Sequence, residues 1–428
     1  MKIFKIFIFV CVSQLFVLPI FAEAGIQWHK WEAVSFKKAA NEKKMILVNI
    51  GIEVCFACRW MEEGTYQKPE VIKLIRDNFI AIQVDANEQP NIGERYSDWA
   101  WPATIFMAPS GTQMLALRGS RRPRNFIPIL DKLITQHKTG NYRADKLAPY
   151  AAPPKPQTTK LSVLRDRIRR HLDEDYDDVN AGWGDDLKEI DGVGRIEQLF
   201  FRAVVEKDPL ARKRALQTAE AMMKRMDPVW GGFYAAGYDG WTRAIPEKRS
   251  GAQATAMLTF ATAYQLTKDK RFLKAAFEID RYLKDWMLAK DGTFYTSQED
   301  QAPNLPKNMT PIDYFNLKSD KQRRQYGVPP IDHAIYTDLN AKLITAYTRL
   351  YLASGNDKFL KVAEQTANRL LATRIHQQGW IRQSGSSITL QQDDRIHQLS
   401  NTTRPLLRSQ MEMGMALLTL FEATGNLR

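Results

Sequence analysis

The sequence predicts two domains of different class: an α/β domain over residues 25–142, then an all-α array of helical hairpins over 161–428. Three observations carry this reading. Between residues 33 and 139, short β-branched apolar runs alternate with amphipathic stretches. From residue 161 onward the apolar residues recur at helical spacing, and the pattern repeats at fixed offsets. Between the two, residues 143–160 are rich in proline and poor in large apolar side chains, as a linker is.

The elements follow in order. Residues 1–24 join a short basic start, Lys2 and Lys5, to an apolar run and a small-x-small end at Ala22 and Ala24. That is the pattern of a secretory signal cut after Ala24, and the run is short and interrupted for a membrane span. Residues 31–44 read as an amphipathic helix with Ala33, Phe36, Ala39 and Ala40 on one side. "MILVNIG" (45–51) reads as a buried strand, ending just before the Cys55-Phe-Ala-Cys58 pair at a strand-to-helix transition. Residues 69–79 form a helix opened by Pro69, and 79–86 a second strand. Residues 103–109 and 112–119 form a hairpin around "PSG", and 124–138 close the domain as a helix.

In the second half, "AYQLTKDKRFLKAAFEIDRYL" (263–283) matches "LYLASGNDKFLKVAEQTANRLL" (350–371) at an offset of 87, pairing Phe272 with Phe359 and Gly292 with Gly379. An offset of 61 relates an earlier unit, pairing Asp208 with Asp269 and Phe233 with Phe294. Each unit is helix, turn, helix and Gly-aromatic loop. Such hairpins bury their apolar faces only by stacking, in a solenoid or a closed α/α toroid. Residues 299–332 read as a polar, proline-rich insertion with one short helix.

Net charge is +13, from basic residues that are mostly scattered. No motif that reads bases accompanies them, so nucleic acid is not an expected partner. Once the signal is removed, Cys55 and Cys58 are the cysteines that remain. A close pair in an exported chain can form a disulfide, and one short bridge is no framework for a chain of this length. A zinc site would need four ligands, and the pair has no adjacent histidine. No metal and no cofactor are therefore expected. The mature chain is expected to be periplasmic or secreted and without a membrane span.

The stretch "MILVNIGIEVCFAC", continued by "NFIAIQVDA" and "WPATIFMAPSG", resembles a thioredoxin-like domain. The two halves together resemble one group, the YyaL-type proteins related to spermatogenesis-associated thioredoxin-domain proteins. These join a thioredoxin-like domain to an α/α toroid of the six-hairpin glycosidase type. "GGFYAAGYDGWTRAIPEK" (231–248) and "RRQYGVPPIDHAIYTDLNAKLITA" (323–346) resemble the toroid segments of that group. The resemblance implies a fold and a chemistry. A cis-proline at Pro102 would stand opposite the dithiol and hold an extended substrate. Cys55, at a helix start, would be the nucleophile, because unpaired N–H groups and the helix dipole favour thiolate. Cys58 would resolve the mixed disulfide. The partner would be a protein thiol or disulfide, docked by the toroid.

Departures from the group matter too. Phe56 and Arg59 stand where histidines are usual, and "IPEK" lacks the histidine of the group's Pro-His-Phe-Glu-Lys segment. Thioredoxins bury an acid six residues before the first cysteine, where this chain has Asn49. The competing reading makes the toroid the working part, acting on or binding a glycan. Its candidate acids are Asp239, Glu247, Glu299, Asp300 and Asp338. Trp241, Tyr295 and Trp380 are its candidate stacking aromatics, and Trp101, beside Pro102, is a candidate substrate-binding residue. Asn340 and Gln253 occupy equivalent repeat positions expected to line the toroid, and His333 is a candidate base or helix-start hydrogen bonder.

Overall fold

The computed structural model describes residues 25–426 apart from 54, 97–100, 141–159, 175, 185–186, 190–193, 386–388, 393–394 and 399–403. The signal segment and residues 143–159 of the linker lie outside the described residues.

The first half is built on one five-stranded sheet. Its elements are β1 (Trp28–His29), α1 (Ala33–Glu42), β2 (Met45–Gly51) and α2 (Phe56–Trp60), which runs on as a π-helical turn, Met61–Thr65. Then come α3 (Pro69–Asn78), β3 (Phe79–Asp85), α4 (Pro90–Arg95), β4 (Ala103–Met107), β5 (Gln113–Arg118) and α5 (Pro123–Lys138). The sheet order is β1-β3-β2-β4-β5. β2 runs parallel to β3 and antiparallel to β4. This is a thioredoxin-like sheet with helices on both faces. Every residue of β2 is buried, which is why it reads as a continuous apolar run instead of an alternating one.

Two details differ from expectation. α1 turns Ser35 and Ala39 inward and leaves Ala33 and Ala40 exposed. The Ser35 hydroxyl donates to the Lys30 carbonyl at 2.8 Å, which lets a polar side chain take the inner position. α4 is an additional element, opened by Pro90 at its first turn.

The second half is a toroid of helical hairpins. α6 (Leu161–Asp173), β6 (Lys188–Glu189), α7 (Arg195–Val204) and α8 (Pro209–Met222) lead into the short strands β7 (Ala236–Tyr238), β8 (Arg243–Ile245) and β9 (Lys248–Arg249). α9 (Ser250–Thr267) and α10 (Lys270–Tyr282) follow, then β10 (Ser297–Gln298), α11 (Pro311–Phe315), α12 (Asp320–Arg324) and β11 (Ile331–Asp332). The chain ends with α13 (Thr337–Ser354), α14 (Asp357–Arg374), the pair β12 (Thr389–Gln392) and β13 (Arg395–Gln398), and α15 (Leu407–Thr424).

The repeats are visible in the backbone. After α6, α8, α10 and α14 the chain closes the same isolated bridge: Tyr176 with Trp183, Met226 with Phe233, Leu288 with Phe294, Ile375 with Ile381. α13 packs between α9 and α15, so the first helices of successive hairpins are neighbours around a shared core. Among the described residues, no helix is long and apolar enough to cross a membrane.

The insertion is more ordered than its composition suggests. It holds two short helices, not one, and buries Tyr314, Phe315 and Arg323. A Thr310–Asp313 capping box starts α11. The Arg323 guanidinium reaches Asp227 with both arms, at 2.7 and 2.9 Å, and Lys248 Nζ meets the same carboxylate at 2.7 Å. All three charged side chains are fully buried. This triad ties the insertion to β9, and β9 pairs β10, which pairs β11.

Candidate functional site

β2 delivers the chain to the dithiol. After Gly51 a short turn leads to Cys55, which is the N-cap of α2; its sulfur accepts the Cys58 backbone N–H at 3.1 Å. An N–H aimed at sulfur favours the charged thiolate over the thiol. The two cysteines are joined as a disulfide, with Cα atoms 5.2 Å apart. Cys58 is buried and Cys55 half-buried.

The sheet edge beneath the dithiol is a row of three strands. Gly51 is the register partner of Asp85 on β3. On the other side Ile50 pairs Ala103, which brings Pro102 alongside Gly51. The Trp101–Pro102 peptide is cis. A Cβ on Gly51 would stand 2.9 Å from Cys58 Sγ, so the inner sulfur rests on bare backbone. One pleat lower, Asn49 is fully buried. Its amide donates to Gln83 at 3.1 Å and accepts from the Tyr66 hydroxyl at 3.4 Å, while Gln83 donates to Glu62 at 2.8 Å. A cavity of about 490 Å³ opens beside this network, with Cys58, Gly51, Gln83, Glu62 and Asp85 in its wall. Burial, then the nearby Asp332 carboxylate, pushes Asp85 up to about 8.

The dithiol end of the sheet faces the toroid. Arg59, next to Cys58, pairs with Glu299, both largely buried. Gln383 Nε2 donates to the Asn87 carbonyl at 2.9 Å. Arg408 bridges Glu94 at 2.9 Å and Asp338 at 3.1 Å. A second cavity, of about 520 Å³, lies between the halves, with Ile52, Asn87 and Trp101 on one wall and Arg249, Leu339 and Lys342 on the other.

The structure brings Cys55, Cys58, Pro102 and Trp101 to this face, with Glu299 opposite. It disperses the other candidates. Trp241 is buried under the Arg225 guanidinium, 4.2 Å from its ring centre, and its indole N–H donates to the Ala181 carbonyl at 2.9 Å. The ring-stacking role expected of Trp241 gives way to a core role.

Asn340 accepts the Phe294 N–H at 2.7 Å and donates to the Phe294 carbonyl at 3.0 Å. Gln253 makes the same two bonds to Phe233, both at 2.7 Å. Gln410 does so with Ile381. These amides clamp the Gly-aromatic loops instead of lining an open centre. Asp338 is buried between Gln383, at 2.6 Å, and Arg408, and burial raises its carboxyl. Glu247 sits beside Arg249. Trp380 stacks on His376 at 4.2 Å, and His333 meets the Tyr295 ring edge-on at 4.4 Å. Residues that the sequence reading passed over, Asp85, Asp332, Gln383 and Arg408, stand at the contact between the halves.

Residues 14–141 match the protein family described as "Thioredox_DsbH: Protein of unknown function, DUF255". Spermatogenesis-associated protein 20 of Rattus norvegicus is 25% identical over 315 residues, which cover 66% of this chain and 40% of that protein. The chain is similar to spermatogenesis-associated thioredoxin-domain proteins over about two thirds of its length. It matches less than half the length of that rat relative. Among solved structures, a cellobiose 2-epimerase from Bacillus thermoamylovorans is similar, with 14% identity, TM-score 0.40, and coverage of 62% of this chain and 69% of that one. A DsbH oxidoreductase is similar at 15% identity and TM-score 0.24, covering 29% of this chain and 95% of its own.

Proposed function

We propose that the chain carries out thiol–disulfide exchange through Cys55 and Cys58, with the toroid receiving the protein partner. The observation that supports this best is the placing of Cys55. Its sulfur sits at the start of α2, takes the Cys58 N–H, and stands at the sheet end that carries cis-Pro102 and faces the toroid. In the reduced state Cys55 attacks a substrate disulfide, and Cys58 then displaces the substrate from the mixed disulfide. Trp101 and the wall of Arg249, Leu339 and Lys342 shape the approach, so exchange is restricted to partners that fit between the halves. Export through residues 1–24 would place this chemistry in an oxidising compartment. The glycan reading has less support, because Trp241, Asp338 and Asn340 are engaged within the protein.

The test is a redox titration of the protein in glutathione buffers, with free thiols counted by alkylation mass shift. A reversible two-electron transition between about −120 and −270 mV is expected. Cys55→Ser should remove it, and Cys58→Ser should trap partners as mixed disulfides. A pair that stays oxidised throughout that range overturns the proposal.

A further inference from the structure

Resolution of a mixed disulfide has a chemical requirement that position 49 does not meet. The Cys58 thiol must lose its proton before its sulfur can attack. Asn49 does not titrate, and its amide is bonded to Gln83 and Tyr66. A proton acceptor has to come from elsewhere.

The register says where. β2 and β3 are parallel, with Asn49 opposite Gln83 and Gly51 opposite Asp85. Side chains alternate along a strand, so positions 49, 51, 83 and 85 share one face. That face is also the one on which Leu47 and Ala81 pack with Met61 and Tyr66. The hypothetical Cβ of Gly51 runs into Cys58 Sγ at 2.9 Å. The sulfur therefore lies over Gly51, and Asp85 projects on the same side from the next strand, one spacing of about 4.8 Å away. Asp85 and Cys58 line the same cavity of about 490 Å³, which has Glu62 and Gln83 in its wall and is roomy enough for water. The Asp85 carboxylate accepts backbone N–H groups of Asn87 and Glu88 at 2.7 and 2.9 Å, neither of them charged.

We propose that Asp85 is the base that takes the Cys58 proton, through cavity water, when the Cys55 mixed disulfide is resolved; this rests on the redox reading above. The Cys58 S–H bond breaks and the proton passes to the Asp85 carboxylate. The thiolate forms the Cys55–Cys58 bond, and the bond between Cys55 and the substrate sulfur breaks. The electron pair leaves on the substrate sulfur, which is protonated from Asp85 or solvent. The dithiol is oxidised by two electrons and the substrate disulfide reduced by two. In the opposite direction the same carboxyl returns the proton to Cys58.

The surroundings suit the task. Burial and Asp332 bring Asp85 to about 8, close to an ordinary thiol. The groups facing it are Glu88 on its own loop, Asp332 and Tyr336 from the toroid, and Glu53, Arg59, Glu62 and Glu63 around the cavity. Asp332 belongs to β11, so the toroid adds to burial in raising the proton affinity of a group that serves the dithiol.

The experiment uses the reduced chain mixed with one equivalent of a symmetric aryl disulfide whose thiolate is coloured. The first phase of colour reports attack by Cys55, and the second reports displacement by Cys58. Cys58→Ser should show the first phase alone. Asp85→Asn should slow the second phase about tenfold or more at pH 7, erase its ionisation near 8, and leave the first phase within about twofold. Asp332→Asn, which keeps Asp85, should move that ionisation to lower pH. If both phases appear in the parent chain and Asp85→Asn leaves the second unchanged in rate and pH profile, Asp85 is not the base and the redox reading stands. If the parent chain shows no first phase, the redox reading fails and this proposal with it.

Discussion

Replacing Asp227 by asparagine should strand two cations in the toroid. Lys248 Nζ lies 2.7 Å from the carboxylate, Arg323 lies 2.7 and 2.9 Å from its two oxygens, and all three side chains are fully buried. Asparagine keeps the volume and removes the charge. Taking one partner from a buried ion group costs about 3–5 kcal/mol, a large part of the 5–15 kcal/mol that holds a typical domain. The signs of the pKa shifts predict a pH signature. Asp227 is held down at about 2, burial working against it and the two cations outweighing burial. Its contribution is present above about 4 and is lost as pH falls toward 2. Lys248 is drawn down from 10.5 to about 8 by burial, with Asp227 opposing. A base depressed in the fold adds stability as pH rises through the interval between its folded and unfolded values. Without Asp227 the Lys248 pKa falls further, so this gain begins at lower pH. The defect should therefore be larger at pH 7 than at pH 9. Guanidinium unfolding followed by tryptophan fluorescence at the two pH values measures both. A loss under about 1 kcal/mol at pH 7, or one of equal size at pH 9, would refute the view that this triad is a tightly coupled charge group.

Three other outcomes are expected. Gly51→Ala puts a methyl 2.9 Å from Cys58 Sγ and should destabilise the oxidised chain by about 1–3 kcal/mol in thermal unfolding; an unchanged midpoint would mean that the sulfur moves freely. Gln253→Leu leaves the Phe233 N–H and carbonyl without the amide that holds both, at about 1–3 kcal/mol per buried group. Asn340→Leu should match it in urea midpoint, and unequal results would break the equivalence of the two clamps. Arg59→Ala separates Glu299 from its cation, so hydrogen exchange around 56–60 and 297–300 should quicken together; a change on one side only would argue against a direct contact.

How much was legible depended on whether a feature is local. β2 occupies 45–51 as its composition indicated, because seven consecutive buried residues leave no other solution for a short β-branched run. α3 begins at Pro69, where a first-turn proline fits. α1 was legible as a helix but not in its facing, since one hydrogen bond from Ser35 to Lys30 moves a polar residue inward. The offset repeats correctly paired Gln253 with Asn340. Their work was hidden, because it depends on loop backbone, and an amide facing a carbonyl leaves no hydropathy signal. The insertion looked like loop because its charges were counted as solvated. Arg323 is buried all the same, since its partner Asp227 comes from 96 residues earlier in the chain.

The contact between the halves was the least legible part, for the same reason in stronger form. Asn87 and Gln383 are 296 residues apart in sequence, and Glu94 and Arg408 are 314 apart. Periodicity fixes which face of an element is apolar and carries nothing about which surface two packed units share. Asp85 shows what one further step of reasoning recovers. In "NFIAIQVDA" it looks like the polar end of a strand. Once β3 is placed beside β2 in parallel, Gln83 falls opposite Asn49 and Asp85 one pleat nearer the cysteines. A search for an acid six residues before Cys55 ends at asparagine. A search across the neighbouring strand ends at a carboxylate that shares a cavity with Cys58. Moving the acid to that position also brings it within the field of Asp332. On the reading proposed here, a partner that shifts the toroid against the sheet would alter the proton affinity of Asp85, and with it the rate at which the dithiol releases what it has bound.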